Sequence, residues 1–239
     1  MLPATVFNGP VRVVRALPVL PLVLLAGCGV AGTQFNPGVA AQVGDQTITT
    51  RHVDDVTTNY CTALETVTKG QAGGGAQQTP MRYFSHEFAT ALIVQAAAEQ
   101  LAAESGVEPT SSYQSDLAQL EPQLKDLDDD EKDAVREVIG AQTYADDVLT
   151  QIGASSLSDQ GTDDASADDQ LAEGRKLLSE WVADNDVEIN PKYGIEFGTP
   201  EQVDTDLSYA LGKTAKAGLS PEPDDAYTSA LPDHLVCLD

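Results

Sequence analysis

The chain has 239 residues, with 38 acidic and only 13 basic side chains, and a net charge of −25 at pH 7. Such a surface repels phosphate backbones and anionic headgroups alike, which excludes nucleic-acid binding and leaves the protein surface nothing to adsorb to a membrane with. Hydrophobic residues make up 41% but aromatic residues only 5%, so a core has to be assembled from Leu, Val, Ile and Ala, which suits packed helices better than a large sandwich.

Arg12 and Arg15 precede an almost uncharged run, Ala16 to Ala26, that contains Leu17, Val19, Leu20, Leu22, Val23, Leu24 and Leu25. This is the pattern of a secretory signal. A membrane-spanning helix needs about 20 apolar residues, and this run is roughly half as long and interrupted by Pro18 and Pro21, which are poor interior helix residues. Leu25-Ala26-Gly27-Cys28 follows and resembles the bacterial lipobox, in which small residues admit the chain to a signal peptidase and a thiol receives diacylglycerol. The expectation is a lipoprotein signal peptide over residues 1–27 and acyl chains such as palmitate on Cys28, which hold the mature chain to the outer face of the cell membrane. The alternative is an ordinary secretory signal that happens to end beside a cysteine. Loss of Arg12 and Arg15 with the signal would leave 11 basic against 38 acidic residues, a net charge of −27.

Export also bears on the other cysteines. The chain has three, and a lipid on Cys28 leaves Cys61 and Cys237. In an oxidising compartment an even remainder is expected to pair, and a cross-link between residues so far apart stabilises by up to roughly 5 kcal/mol in the chain-entropy model. The alternative is an unpaired, buried Cys61 and a loose tail.

Residues 28–38, with Gly32 and Pro37, read as a flexible tether. A single domain is expected over 39–239. Val39, Ala41 and Val43 alternate with polar or small residues, Gly44-Asp45 signals a turn, and Gln46 to Thr49 returns around Ile48, so the domain opens on a hairpin. Thr49 or Thr50 then caps a helix with Val53, Val56, Tyr60, Ala63, Leu64 and Val67 at three-and-four spacing, with Cys61 beside the stripe. Residues 69–79, rich in glycine, predict a flexible loop closed by Pro80. From Met81 to Ser105 a long helix is expected to form the centre of the core, since Phe84, Phe88, Ala91, Val94, Ala98 and Leu101 are joined by Leu92, Ile93 and Ala97.

Gly106 ends that helix. A third is expected from Thr110 or Ser111 to Pro122, and a fourth starts where Asp128 to Glu131 place negative charge against the helix dipole. Its apolar side is Val135, Val138, Ile139, Tyr144, Val148, Leu149 and Ile152. Residues 155–169, rich in Ser, Asp and Gly, predict a mobile linker without EF-hand spacing. A fifth helix carries Leu171, Leu177, Leu178, Trp181 and Val182, and Val187 to Asn190 alternates as a strand able to join the opening hairpin, with Gly194 to Phe197 as its possible extension. A short helix with Val203, Leu207 and Leu211 precedes an irregular tail. The fold class is therefore mainly α, with a small sheet made of the amino-terminal hairpin and a carboxyl-terminal strand.

Val43-Gly44-Asp45-Gln46-Thr47-Ile48-Thr49, followed by Val53 and Asp54, resembles the opening of the SurA-type and PrsA-type extracytoplasmic chaperones. Leu92 to Ala103 with Gly106-Val107 is similar to that family's apolar second helix and its exit, and Val187 to Gly194 to the strand that closes such domains in small lipoproteins. The resemblance implies a stand-alone SurA-N-like helical domain whose terminal strands meet, and which holds unfolded or extended polypeptide in an apolar groove. Phe84, Phe88 and Leu92 are the candidate groove residues. Full-length members also carry a parvulin prolyl-isomerase domain, for which this chain shows no segment.

Catalytic chemistry finds no residues to rest on. His52, His86 and His234 are dispersed and match no metal-ligand spacing, His86 and Glu87 point in different directions on a helix, and no serine sits in a nucleophile elbow. No cofactor or metal site is expected. The leading expectation is thus a lipid-anchored, non-enzymatic polypeptide-binding lipoprotein, with two rivals: a peptidyl-prolyl isomerase, and an accessory envelope lipoprotein with one dedicated partner. The sequence does not set its oligomeric state.

Overall fold

The structure is a computed structural model, described for residues 37–69, 78–195, 197, 212–218, 220 and 224–238. Residues 1–36, with Cys28, lie outside the described residues, as do 70–77 and the segment carrying Val203, Leu207 and Leu211. The chain is mainly α with small antiparallel sheets. Strands β1 (Val39–Val43) and β2 (Gln46–Thr49) lead into α1 (Thr50–Lys69); β3 (Gln78–Pro80) leads into α2 (Met81–Ser105); α3 (Ser111–Leu120) precedes α4 (Asp129–Asp159) and α5 (Ala167–Asp184). Strand β4 (Val187–Ile189) follows, then two short helices, α6 (Lys213–Gly218) and α7 (Asp225–Thr228), and β5 (Val236–Leu238).

β1 and β2 pair as a hairpin across Gly44 and Asp45, with Val43 opposite Gln46 and Ala41 opposite Ile48. β4 joins the other side of β1 antiparallel, so the sheet order is β2-β1-β4 and the two ends of the helical array meet in one sheet. Asn190 fixes the closure, because its backbone N–H donates to Ala40 O at 2.8 Å and its side chain to Val39 O at 2.9 Å. Gly194 to Phe197 do not lengthen β4: Pro191–Tyr193 form a 3-10 turn that Gly194 ends with a φ of 61°, and a left-handed residue interrupts an extended run.

α2 is buried along most of its circumference, with Phe88, Ala89, Ala91, Leu92, Ile93, Ala96, Ala97, Ala98 and Ala102 inside. Alanine at so many positions lets neighbouring backbones approach. On one side Ile93, Ala97 and Ala98 pack with Ala41 and Val43 of β1, Val148, Leu149 and Ile152 of α4, and Leu178 and Trp181 of α5. On the other, Phe88 packs with Val56 of α1 and Ala134 and Val138 of α4. Burying one Ile- or Leu-sized side chain contributes about 1.5–3 kcal/mol, and α2 supplies residues to three of the buried clusters.

The segment 155–169 is not one linker. α4 continues through Ser155 to Asp159, and only 160–166 remain as a connection. Ser156 Oγ donates to Glu173 Oε1 at 3.1 Å and Gln160 Nε2 to the same oxygen at 3.3 Å, so α5 supplies partners that the local composition does not reveal. The helix stops at Gly161, whose φ of 84° allows Thr162 N–H to reach back to Leu157 O at 2.8 Å, the six-to-one bond of a Schellman cap.

α4 and α5 cross where Gly153 faces Gly174. A Cβ on Gly153 would sit inside the Gln170 carbonyl, and one on Gly174 inside the Leu149 carbonyl. Alanine gains a helix interior about 1 kcal/mol over glycine, but here the obstacle is backbone, and overpacking costs about 1–3 kcal/mol or more. Gly153→Ala is therefore expected to destabilise, read as a lower denaturant midpoint from the fluorescence of Trp181, the single tryptophan. An unchanged or raised midpoint would show that the helices can part.

The tail is held rather than loose. β5 pairs antiparallel with β3, placing Cys237 opposite Thr79, and Cys237 is bonded to Cys61 of α1, with Cα atoms 5.3 Å apart and a sequence separation of 176. Cys61 and Cys237 are 6% and 0% exposed, so a reductant reaches the bond only after the tail opens. Cleavage is expected to release amide protection in Val236–Leu238 and in Gln78 and Thr79 while the β2-β1-β4 sheet keeps its own. Hydrogen exchange on the reduced chain checks this; simultaneous loss in both sheets would contradict it.

Candidate functional site

The residues expected to line one groove do not share one. Phe88 is 4% exposed and stacks edge-on against Tyr60 at 4.7 Å, with Phe84, half-buried, 5.7 Å from it. These rings join α2 to α1 and form part of the core. Leu92, one turn further on, lines a cleft instead.

This cleft lies between β2 and the helices, with a volume of about 380 Å³. Gln46, Thr47, Ile48 and Thr49 give one wall, His52 one end, and Leu92, Gln95, Ala96 and Glu99 of α2, with Glu137 of α4, the other side. A second cleft of about 460 Å³ is formed by Tyr113 and Leu117 of α3, Glu121, Gln95, and the α4 residues Asp133, Arg136, Glu137, Gly140 and Ala141. Gln95 and Glu137 line both. The two clefts therefore adjoin at these two side chains and together form the trough. Leu92 lines the first and Ala141 the second, and both belong to a buried cluster with Ala40, Val53, Ala89, Ala91 and Tyr193.

The trough is electrically uneven. Arg136 donates to Glu121 through Nε at 2.7 Å and Nη2 at 2.8 Å, and to Asp133 at 3.0 Å; hydrogen bonding to Arg136 holds the Glu121 carboxyl below its ordinary range. Glu99 and Glu137 have no such cation. Gln46 and Gln95 each donate a side-chain amide to Glu99 at 2.9 Å, and His52 Nε2 lies 2.5 Å from Glu137 Oε1. Burial, and after it the charges of Glu99 and Asp147, pushes the Tyr113 hydroxyl above its ordinary value, and the same surroundings act on Tyr144. The two rings meet edge-on at 5.7 Å.

His86 Nδ1 is 2.6 Å from Tyr193 O and serves the fold, while His234 is exposed. Among the described residues, no group of three or more His, Cys, Asp or Glu is placed to hold a metal ion, and no helix is long and apolar enough to cross a membrane. Sequence reasoning overlooked Gln46, Gln95, Glu99 and Glu137. The available signal was the charge on α2, where Glu99 is one of few acidic residues on an otherwise apolar helix.

Comparison with known protein families, with curated proteins and with solved structures finds no match to this chain.

In the buried cluster that contains Leu92 and Ala141, the Tyr193 hydroxyl has no hydrogen-bond partner among the described residues. An unsatisfied buried polar group costs about 1–3 kcal/mol. Burial, with a smaller contribution from Asp54, pushes its pKa from 10.0 up to about 12. The native state thus holds this proton when the unfolded chain has lost it, so the contribution is intact below pH 10 and is lost as pH rises towards 12. Tyr193→Phe is expected to match or exceed the parent in stability by about 1 kcal/mol at neutral pH, with the gap widening between pH 10.0 and about 12. Urea midpoints across that range check it, and a destabilised variant at pH 7 would contradict it.

Proposed function

We propose that this chain is a non-enzymatic polypeptide-binding module of the SurA/PrsA amino-terminal kind, held through a lipid on Cys28 at the outer face of a membrane. The observation that supports the reading is the trough. Its two clefts share Gln95 and Glu137 and are open rather than enclosed, a shape that suits a length of chain better than an enclosed small molecule. Its wall offers strand backbone and amide and hydroxyl side chains, and its floor is Leu92, Ala96 and Ile48. Such a surface supplies main-chain recognition and modest apolar contact without demanding one sequence.

The meeting of β1 and β4 adds support, because it is the terminal closure that the resemblance implies. The groove, however, is the one beside β2 rather than one built on Phe84 and Phe88.

The test is suppression of aggregation. The purified chain is expected to keep a chemically unfolded client in solution at a few-fold molar excess without hastening proline-limited refolding. No suppression at that excess would sink the reading, and faster refolding would favour a prolyl isomerase instead.

A further inference from the structure

We infer that the trough takes an extended, lysine- or arginine-rich polypeptide segment, which adds to β2 as a further strand with its basic side chains against Glu99 and Glu137. The inference rests on the polypeptide-binding reading and gives it a ligand class.

β2 has one neighbour in its sheet among the described residues, β1, and its other edge borders the cleft. Val43 and Gln46 close a two-residue turn. In an antiparallel ladder the closing pair is hydrogen-bonded and the next, Gln42 with Thr47, is not, so the backbone N–H and C=O of Thr47 point away from β1. Exposed edges of this kind are ordinarily blunted by a lysine, a proline or an inward charge. β2, Gln46-Thr47-Ile48-Thr49, carries none of these.

Charge selects the occupant. Glu99 stands at the Gln46 end of β2 through its hydrogen bond to that side chain, and Glu137 at the far end through His52. Neither makes an ion pair with lysine or arginine among the described residues, whereas the acidic groups of the second cleft are matched by Arg136. Same-face side chains of an added strand recur about every 6.6 Å, and the long stems of lysine and arginine let two of them reach towards Glu99 and Glu137. An acidic segment would meet these two charges and the overall −25, and is rejected by like-charge repulsion.

The experiment measures binding of labelled peptides to the full chain by fluorescence anisotropy at low salt. The probes are an alternating Lys-Val hexapeptide, its Glu-Val and Thr-Val counterparts, and an N-methylated Lys-Val analogue that keeps the charge and loses the backbone donors. The Lys-Val peptide is expected to bind at least about tenfold tighter than the Glu-Val and N-methylated peptides, and to weaken as salt rises. The Glu99→Gln/Glu137→Gln double variant, with its fold checked by Trp181 fluorescence, is expected to lose the preference for Lys-Val over Glu-Val. Equal binding of Lys-Val and Glu-Val, or no effect of N-methylation, would overturn the inference. If aggregation is still suppressed in that case, polypeptide binding stands and only the ligand class and mode fail; if it is not, both fail.

Discussion

Burial of α2 is the constraint from which the architecture follows. A helix apolar around most of its circumference cannot lie on a surface, so α1, α4, α5 and β1 each cover a part of it. α4 can do so along its length because it runs for 31 residues. α5 in turn lies on α4 where Gly153 and Gly174 allow the backbones to meet. The terminal sheet then covers what the helices leave open, and Asn190 holds the closing strand in register.

The trough lies where that cover stops. Leu92 and Ala96 pack with the neighbouring helices and also line the cleft beside β2. Glu99 and Glu137 belong to α2 and α4, two of the best-anchored elements, so their charges are held in place by the core. The sheet edge and its carboxylates are therefore consequences of one packing solution. The acidity of the whole chain acts in the same direction as the trough.

Local signals carried much of this. The hairpin followed from alternation and a Gly-Asp turn, α1 and α2 from apolar spacing, and β4 from Val187 to Asn190, and each stands in the structure near its expected limits. What the sequence hid depends on partners distant along the chain. β3 is three residues, Gln78–Pro80, with no strand character until β5 lies beside it. Ser155 to Asp159 read as linker because serine and aspartate are weak helix formers, yet Glu173 and the glycine crossing keep them helical. Phe84 and Phe88 read as groove because large aromatics suit both a core and a binding surface, and only the packing of Tyr60 decides between them. Gln95 and Glu137 lie on different helices and more than 40 residues apart, so no window of sequence joins them.

The central claim, that extended polypeptide is taken up beside β2, is tested most directly by hydrogen exchange of the full chain with and without an unfolded client. Peptide addition to the edge predicts slower exchange in Gln46–Thr49, with little change around Tyr60, Phe84 and Phe88. Protection centred on those aromatic residues, with the β2 amides unaffected, would contradict it.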